Sequence, residues 1–416
     1  MIYSSRAMQE ANIYTYLTPI ALFFVLLEVV LAFIYWRDYI SFPEAIANFG
    51  TAIGNQTVNV LIAAGVFVAY GVLWENYRLF TIELNWWSFI LLLIGVDFIF
   101  YWVHRWGHAI NIMWAAHSPH HSAEEMNFMV ALRASVTQRF CSFLFFWPLA
   151  LIGFQPLHIY MMSGIHLFIA FLHHTEFIGK LGWFEKYFTT PSHHRVHHGV
   201  NFAYLDKNFG EFLIIWDKIF GSFAEEKEKV VYGVYDHPRS WNPIRINFHY
   251  FIVLAKYAAA APFLWDKIRI WFMPAGWRPR GLPEKEMVEI TSDNQIKYRP
   301  VMFENSRLYL VVQLVVGVFL MLGVISNLLG WNTTQRWVGA MLLWWHIVNW
   351  SGILEAKPWL LVSENLRIVA TAIAVIAFNQ LYQPSGFLFG VIAVSLFSII
   401  WANFFFRPNS PRLVPA

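Results

Sequence analysis

Residues 91–108 read LLLIGVDFIFYWVHRWGH. Most of the stretch is apolar enough for the interior of a bilayer, and its end carries two histidines four residues apart. Residues so spaced share one face of an α-helix. The stretch therefore predicts a membrane helix whose last turn points two imidazoles the same way. Asp97, Tyr101, His104 and His108 stand at i, i+4, i+7 and i+11, a single helical stripe. A carboxylate in an apolar span is costly and often functional. Asp97 could orient a metal-bound histidine, with Tyr101 beside it, or make a structural hydrogen bond between helices.

Two more clusters follow: His117-Ser-Pro-His120-His121 and His194-Arg-Val-His197-His198, the latter preceded by His193. His173 and His174 lie between them, and 13 of the 16 histidines fall within residues 104–198. A zinc site takes three or four protein ligands. His104, His108, His117, His120, His121, His194, His197 and His198, with His174 added, exceed one such site and suit two metals. Ligand type alone leaves Zn, Cu, Fe and Ni open. Helical neighbours point about 100° apart, so His174 is preferred to His173, and His193 is set aside. His158, His166, His237, His249 and His346 read as satisfied core residues. After the second cluster, Glu124, Glu125 and Asn127 are either site residues or a solvated helix turn. Asn208 could touch the site, whereas Trp216, Asp217 and Glu28 read as structural.

Composition agrees with the membrane reading. The 416 residues are 58% hydrophobic and 13% charged, against about 25% charged in soluble domains. Runs of roughly 20 apolar residues, enough to span a bilayer, lie near 14–36, 57–74, 86–103, 308–330, 336–354, 365–382 and 385–406. The stretch 140–173, with Gly153 and Pro156 in its middle, predicts a hairpin that enters the bilayer and returns. The expected fold is an all-α, multi-pass transmembrane helical bundle with a cytosolic, histidine-rich helical cap holding a dinuclear metal site. Its parts are N-terminal transmembrane helices (1–100), a histidine-box catalytic region (101–250), interfacial helices and a loop (251–307) and C-terminal transmembrane helices (308–416). The polar stretches 104–139 and 174–247 with the basic region 256–307 hold 21 of the 29 Lys and Arg, which places the metal site on the cytosolic side.

Other classes are set aside. No basic block with interleaved aromatics suggests nucleic acid. Cys141 is the only cysteine, so an internal disulfide and a CxxC motif are both excluded. The N-terminal run reads as a retained helix rather than a signal peptide. The ending PRLVPA carries no retrieval signal, a hint toward a bacterial inner membrane over an endoplasmic reticulum.

These residues resemble the fatty acid hydroxylase and sterol desaturase superfamily, marked by HxxxH, HxxHH and HxxHH beside membrane helices. HHSAEEMN (120–127), HTE (174–176), TPSHHRVHHG (190–199), DKNFG (206–210) and LIIWDKIFGSF (213–223) are most similar to its alkylglycerol monooxygenase branch. WNPIRINFHYF (241–251) and PAGWRP (274–279) extend the likeness along most of the chain. The resemblance implies two irons held by the nine histidines named above, O₂ as co-substrate, and an ether lipid cleaved at its O-alkyl bond. It implies tetrahydrobiopterin as reductant. No fused cytochrome or flavin domain is visible, so electrons come from a separate donor. Two positions depart from the branch: Ala109 stands where it has Glu, and Ala170 where it has Gln.

The chemistry is consistent with this. A metal pair at a membrane face suits a substrate dissolved in the bilayer, which offers mostly unactivated C–H bonds. Attack on those needs a redox metal with O₂, and zinc has no redox chemistry. A sterol or fatty-acyl hydroxylase or desaturase would share the clusters and use a different lipid. A histidine-rich metal transporter would place its ligands near the bilayer midplane, whereas these clusters follow the ends of spans.

Overall fold

The computed structural model describes residues 13–36, 38–283, 286–327, 330–378, 385–407 and 409–413. The outermost N-terminal residues, and the parts of the expected spans at 328–329 and 379–382, lie outside these. The chain forms two compact units. The first takes the chain up to Ile40, Leu61–Pro238 and Asn247–Ile296; the second takes Ser41–Val60, Arg239–Ile246 and the chain from Lys297.

The first unit opens with α1 (Tyr14–Tyr35) and the latter part of α2 (Phe42–Tyr77). Helix α3 (Trp86–Ala109) starts at a capping box: the Asn85 side chain accepts from the Ser88 backbone, and the Ser88 side chain accepts from the Asn85 backbone. With no proline inside it, α3 runs from the apolar span into His104 and His108 without a break. The chain turns at Ile110, which is extended, into α4 (Asn111–His121). Then come α5 (Phe128–Ala131), α6 (Gln138–Phe143), α7 (Trp147–Ile152) and α8 (Pro156–Leu172). Helix α9 (Pro191–His197) starts with proline in its first turn, and α10 (Ile215–Ile219) follows it. From Asn247 on, α11 (Pro243–Ala260), and then α12 (Leu264–Arg269), complete the unit. They lead into a segment that holds the α3–α4 corner, where Asn111 Nδ2 donates to the Ile270 carbonyl (2.9 Å) and Asn111 N to that of Met273 (3.0 Å).

Gly153 is needed where α7 turns toward α8. Its φ is +134°, and a Cβ there would stand 2.2 Å from the Phe80 carbonyl oxygen. The close approach lets Leu79 N and Phe80 N donate to the carbonyls of Leu151 and Ile152 at 2.8 and 3.1 Å. The core beneath is Leu92, Val96, Leu149, Ile159 and Met162.

The second unit contains α13 (Arg307–Asn327), α14 (Thr333–Leu354), α15 (Leu360–Phe378) and α16 (Ser385–Phe405). Strands β1 (Met302–Phe303) and β2 (Arg412–Leu413) pair antiparallel, Met302 opposite Leu413. The start of α2 packs into this unit through Ile46, Ala47 and Ile53 against Leu343, Ile347 and Trp350.

Five helices among the described residues are long and apolar enough to cross a membrane: Tyr16–Tyr35, Phe42–Tyr77, Trp86–Ala109, Glu304–Ser326 and Leu360–Phe378. This is the pattern of a multi-pass membrane protein. The expected span at 57–74 begins instead at Phe42. Glu44, Asn48, Thr51, Asn55 and Asn59 made the first half look too polar, yet all are buried. Helix α14 is not among the five; Gln335, Arg336, His346 and Asn349 interrupt its apolar run. The described apolar part of α16, Phe389–Phe405, is shorter than the five.

Candidate metal centre

Four elements bring the histidines together. The last turn of α3 supplies His104 and His108, α4 supplies His117, His120 and His121, the end of α8 leads into His173 and His174, and α9 supplies His194, His197 and the capping His198. Two buried groups result. In one, His104, His108, His117, His121 and His197 each offer a nitrogen, all within 4.8 Å of one another. In the other, His120, His174, His194 and His198 do the same. The predicted nine residues thus divide five and four. His173 joins neither; it lies with His194 and Glu211 in a third grouping.

Backbone carbonyls fix the rings. His104 Nδ1 lies 2.9 Å from the Phe209 carbonyl, His120 Nδ1 3.2 Å from that of Arg133, His174 Nδ1 2.9 Å from that of Ala170 and His197 Nδ1 3.0 Å from that of Lys207. Gln138 Nε2 lies 3.0 Å from His117 Nδ1 and donates to it, which leaves the His117 proton on Nε2. A carbonyl accepts only, so Nδ1 of His104, His120, His174 and His197 carries the proton and Nε2 of each keeps a lone pair. This is how proteins set the tautomer of a metal-bound histidine.

Between His120 and His174 the lone pairs then face one another. His120 and His174 Nε2 are 3.2 Å apart, and both rings have donated their only proton to a carbonyl. His194 and His174 Nε2 stand 3.0 Å apart, His104 and His117 Nε2 3.1 Å, and His121 and His117 Nε2 3.0 Å. Nε2 of His108, His197 and His198 is buried with no hydrogen-bond partner. Buried acceptors packed against acceptors are unfavourable unless a cation lies among them. The donor set therefore fits metal ions, one for each group. Burial holds His117, His121, His174, His194, His197 and His198 well below the usual imidazole range, and His120 down to about 4. Neutral imidazole is the form that binds metal.

The remaining predicted residues brace this arrangement. Asp97 is fully buried and holds no histidine of either group. It accepts from His166 Nε2 (2.8 Å), from backbone N of Phe212 (3.0 Å) and Leu213 (3.1 Å), and from Trp216 Nε1 (2.8 Å). Tyr101 Oη lies 2.9 Å from Ser222 Oγ and accepts from Arg105. Asp217 accepts from backbone N of Phe209 and Gly210. Asn208, at φ +55°, bonds the His193 carbonyl and both backbone groups of Ala224. Glu124 and Glu125 are buried rather than a solvated turn. Asn127 caps α5 through Met129 N and donates to Glu125 Oε2.

Two residues, Glu211 and Gln138, escaped the sequence reading, and Glu28, read as structural, braces the site. Glu211 is buried, with Oε1 3.8 Å from His104 Nδ1 and Oε2 3.8 Å from His173 Nδ1. Burial pushes its carboxyl up to about 8, a tendency that a neighbouring cation reverses. Glu28 on α1 accepts from Tyr39 Oη, Thr175 Oγ1 and backbone N of Phe128, so it ties α1 to the residue after His174 and to the start of α5. Gln138 holds His117. No local spacing announces these contacts; a lone carboxylate at 28 in an apolar run was the one available signal.

Comparison with known proteins gives a consistent picture. Residues 89–222 match the family model described as fatty acid hydroxylase. The chain is 38% identical over 305 residues to alkylglycerol monooxygenase of Homo sapiens, covering 71% of this chain and 67% of that protein. It is 34% identical over 321 residues to the alkylglycerol monooxygenase of Danio rerio, covering 75% and 70%. An ornithine lipid hydroxylase of Rhizobium tropici is 32% identical over 136 residues, covering 32% and 41%. No solved structure matches.

Proposed function

The chain belongs to the fatty acid hydroxylase family, and on that premise we propose that it is a membrane-bound di-iron monooxygenase that cleaves the O-alkyl bond of an alkylglycerol. Its relatives are lipid hydroxylases and monooxygenases. The observation that carries the reading is the pair of buried histidine groups, their ligand nitrogens converging, at the end of a helix apolar enough to span a bilayer.

His104, His108, His117, His121 and His197 would hold one iron, and His120, His174, His194 and His198 the other. Iron there supplies what no side chain can, the reductive activation of O₂. The carbonyls of Phe209, Arg133, Ala170 and Lys207 keep the rings oriented and their Nε2 lone pairs available. The loop held by Asp97 and Asp217 carries the Phe209 carbonyl that orients His104. In the overall reaction the carbon next to the ether oxygen is hydroxylated: R–CH₂–O–R′, O₂, two electrons and two protons give R–CH(OH)–O–R′ and water. The hemiacetal collapses to a fatty aldehyde and glycerol, its hydroxyl proton passing to the departing oxygen. The two electrons come from a separate donor, tetrahydrobiopterin by the resemblance. The concentration of Lys and Arg in the histidine-bearing stretches supports a cytosol-facing site.

The test is turnover by the iron-loaded, full-length protein in lipid. An alkylglycerol, a free fatty acid and a sterol are each supplied with O₂, with and without reduced pterin. Fatty aldehyde formed only from the alkylglycerol and only with pterin supports the reading. Hydroxylation of the acyl or sterol substrate alone overturns the ether-lipid assignment.

A further inference from the structure

Glu211 sits on a loop braced from both sides. Asp217 holds the backbone N of Phe209 and Gly210, and Asp97 holds that of Phe212 and Leu213. Gly210 is required there, because a Cβ would stand 2.6 Å from the Leu213 carbonyl and 2.9 Å from Asp217. The two bracing carboxylates are spent on hydrogen bonds. Glu211, 4% exposed, is not: its Oε2 has no hydrogen-bond partner, and neither has Nδ1 of His173 or of His194. These residues converge, with ligand atoms of His173, His194 and Glu211 all within 4.8 Å of one another. The other oxygen is 3.8 Å from His104 Nδ1. These separations exceed hydrogen-bond length, yet at such range a charge acts strongly in a buried site.

We propose that Glu211 is a positioning carboxylate and buried counter-charge shared by the two metal sites, acting through His104 on one group and through His194, with His173 beside it, on the other. The inference rests on the two-metal reading. Neutral imidazoles offset none of the charge of two divalent cations, and burying uncompensated charge is costly. Asp206, 3.5 Å from His108 Nδ1, is 71% exposed and so screened by water. Asp97 is already committed to four donors. Glu211 is placed to offset charge at both groups, and His194 Nδ1, unlike that of His104, has no carbonyl to hold it.

The test uses full-length protein, stripped of metal anaerobically and titrated with Co²⁺ against a competing chelator. Glu211→Gln keeps the shape and removes the charge. It is expected to weaken Co²⁺ binding by about 10–100-fold and to change the visible spectrum of the bound ion. Glu211→Asp is expected to recover most of the affinity. Glu225→Gln, on an exposed carboxylate paired with Lys180, is expected to match wild type. In the iron-loaded protein Glu211→Gln is expected to raise the reduction potential, because the more positive oxidised centre loses its counter-charge. Two Co²⁺ per chain, bound by Glu211→Gln with wild-type affinity and spectrum, would overturn the assignment while leaving the two-metal reading intact. Fewer than two Co²⁺ in wild type would overturn that reading and this inference with it.

Discussion

Glu364 and Arg367 in the second unit are as deeply buried as His174 and His194 in the first, all at 1–3% exposure. Their surroundings differ in kind. Arg367 donates to Glu364 through Nε (2.9 Å) and Nη2 (2.6 Å), and Nη2 also reaches Gln313. Tyr309 and Asn349 donate to the remaining lone pairs of Glu364. Each donor there meets an acceptor from the same chain. In the histidine region, His120 and His174 meet acceptor to acceptor, and Nε2 of His108, His197 and His198 meets no donor. A matched buried network fixes a helix arrangement. A mismatched one, kept among rigid elements, marks a place built for something the chain itself does not supply.

The comparison can be broken most forcefully at a ligand. His194→Ala or His104→Ala should lower turnover by more than about 100-fold, beyond the cost of losing an outer partner. Each should leave the protein folded, as judged by detergent-resistant gel filtration. Unchanged turnover would mean that the histidine groups are another matched network. The reverse experiment is Arg367→Met. Breaking a buried pair strands its partner, and thermal unfolding should register a loss of about 3–5 kcal/mol. Metal content per folded chain should not change. Replacing both Glu364 and Arg367 by Gln and Met should restore much of the stability.

Glu28 sharpens the contrast, because it is a matched site inside the first unit. Glu28→Ala removes the acceptor of three buried donors and should cost about 2–3 kcal/mol in chemical denaturation. Through Thr175 it should also weaken metal retention by the group containing His174 more than by the group containing His104. Equal loss from both would show that α1 holds the fold rather than one group. The smallest effect is expected for Ser222→Ala. Its hydroxyl donates to Asp217 and lies beside Tyr101 Oη, so about 1 kcal/mol of stability should be lost, with turnover within twofold of wild type.

What was readable in the sequence was what lies along single helices. The α3 stripe, the HxxHH faces and the apolar runs depend on neighbours three and four residues apart, and spacing reports those directly. The stripe of Asp97, Tyr101, His104 and His108 is real helix geometry, yet Asp97 turns to Phe212, Leu213 and Trp216 and Tyr101 to Ser222. Sharing a face does not mean sharing a partner. Hydropathy misplaced the start of α2 because buried Asn and Thr look like loop residues until the helix that covers them is known. Glu211 and Gln138 reach the site from other elements, and Glu28 reaches Thr175 from 147 residues away. The division of nine histidines into five and four depends on how four elements meet, which no spacing encodes.

The central claim is that the two histidine groups each hold a metal. The most direct measurement is the iron content per chain of protein purified without oxygen, for wild type, His108→Ala and His174→Ala. The account predicts two irons for wild type and one for each variant, with the two remaining irons giving different Mössbauer spectra because different groups hold them. One iron or fewer in wild type, or two retained in both variants, would contradict it.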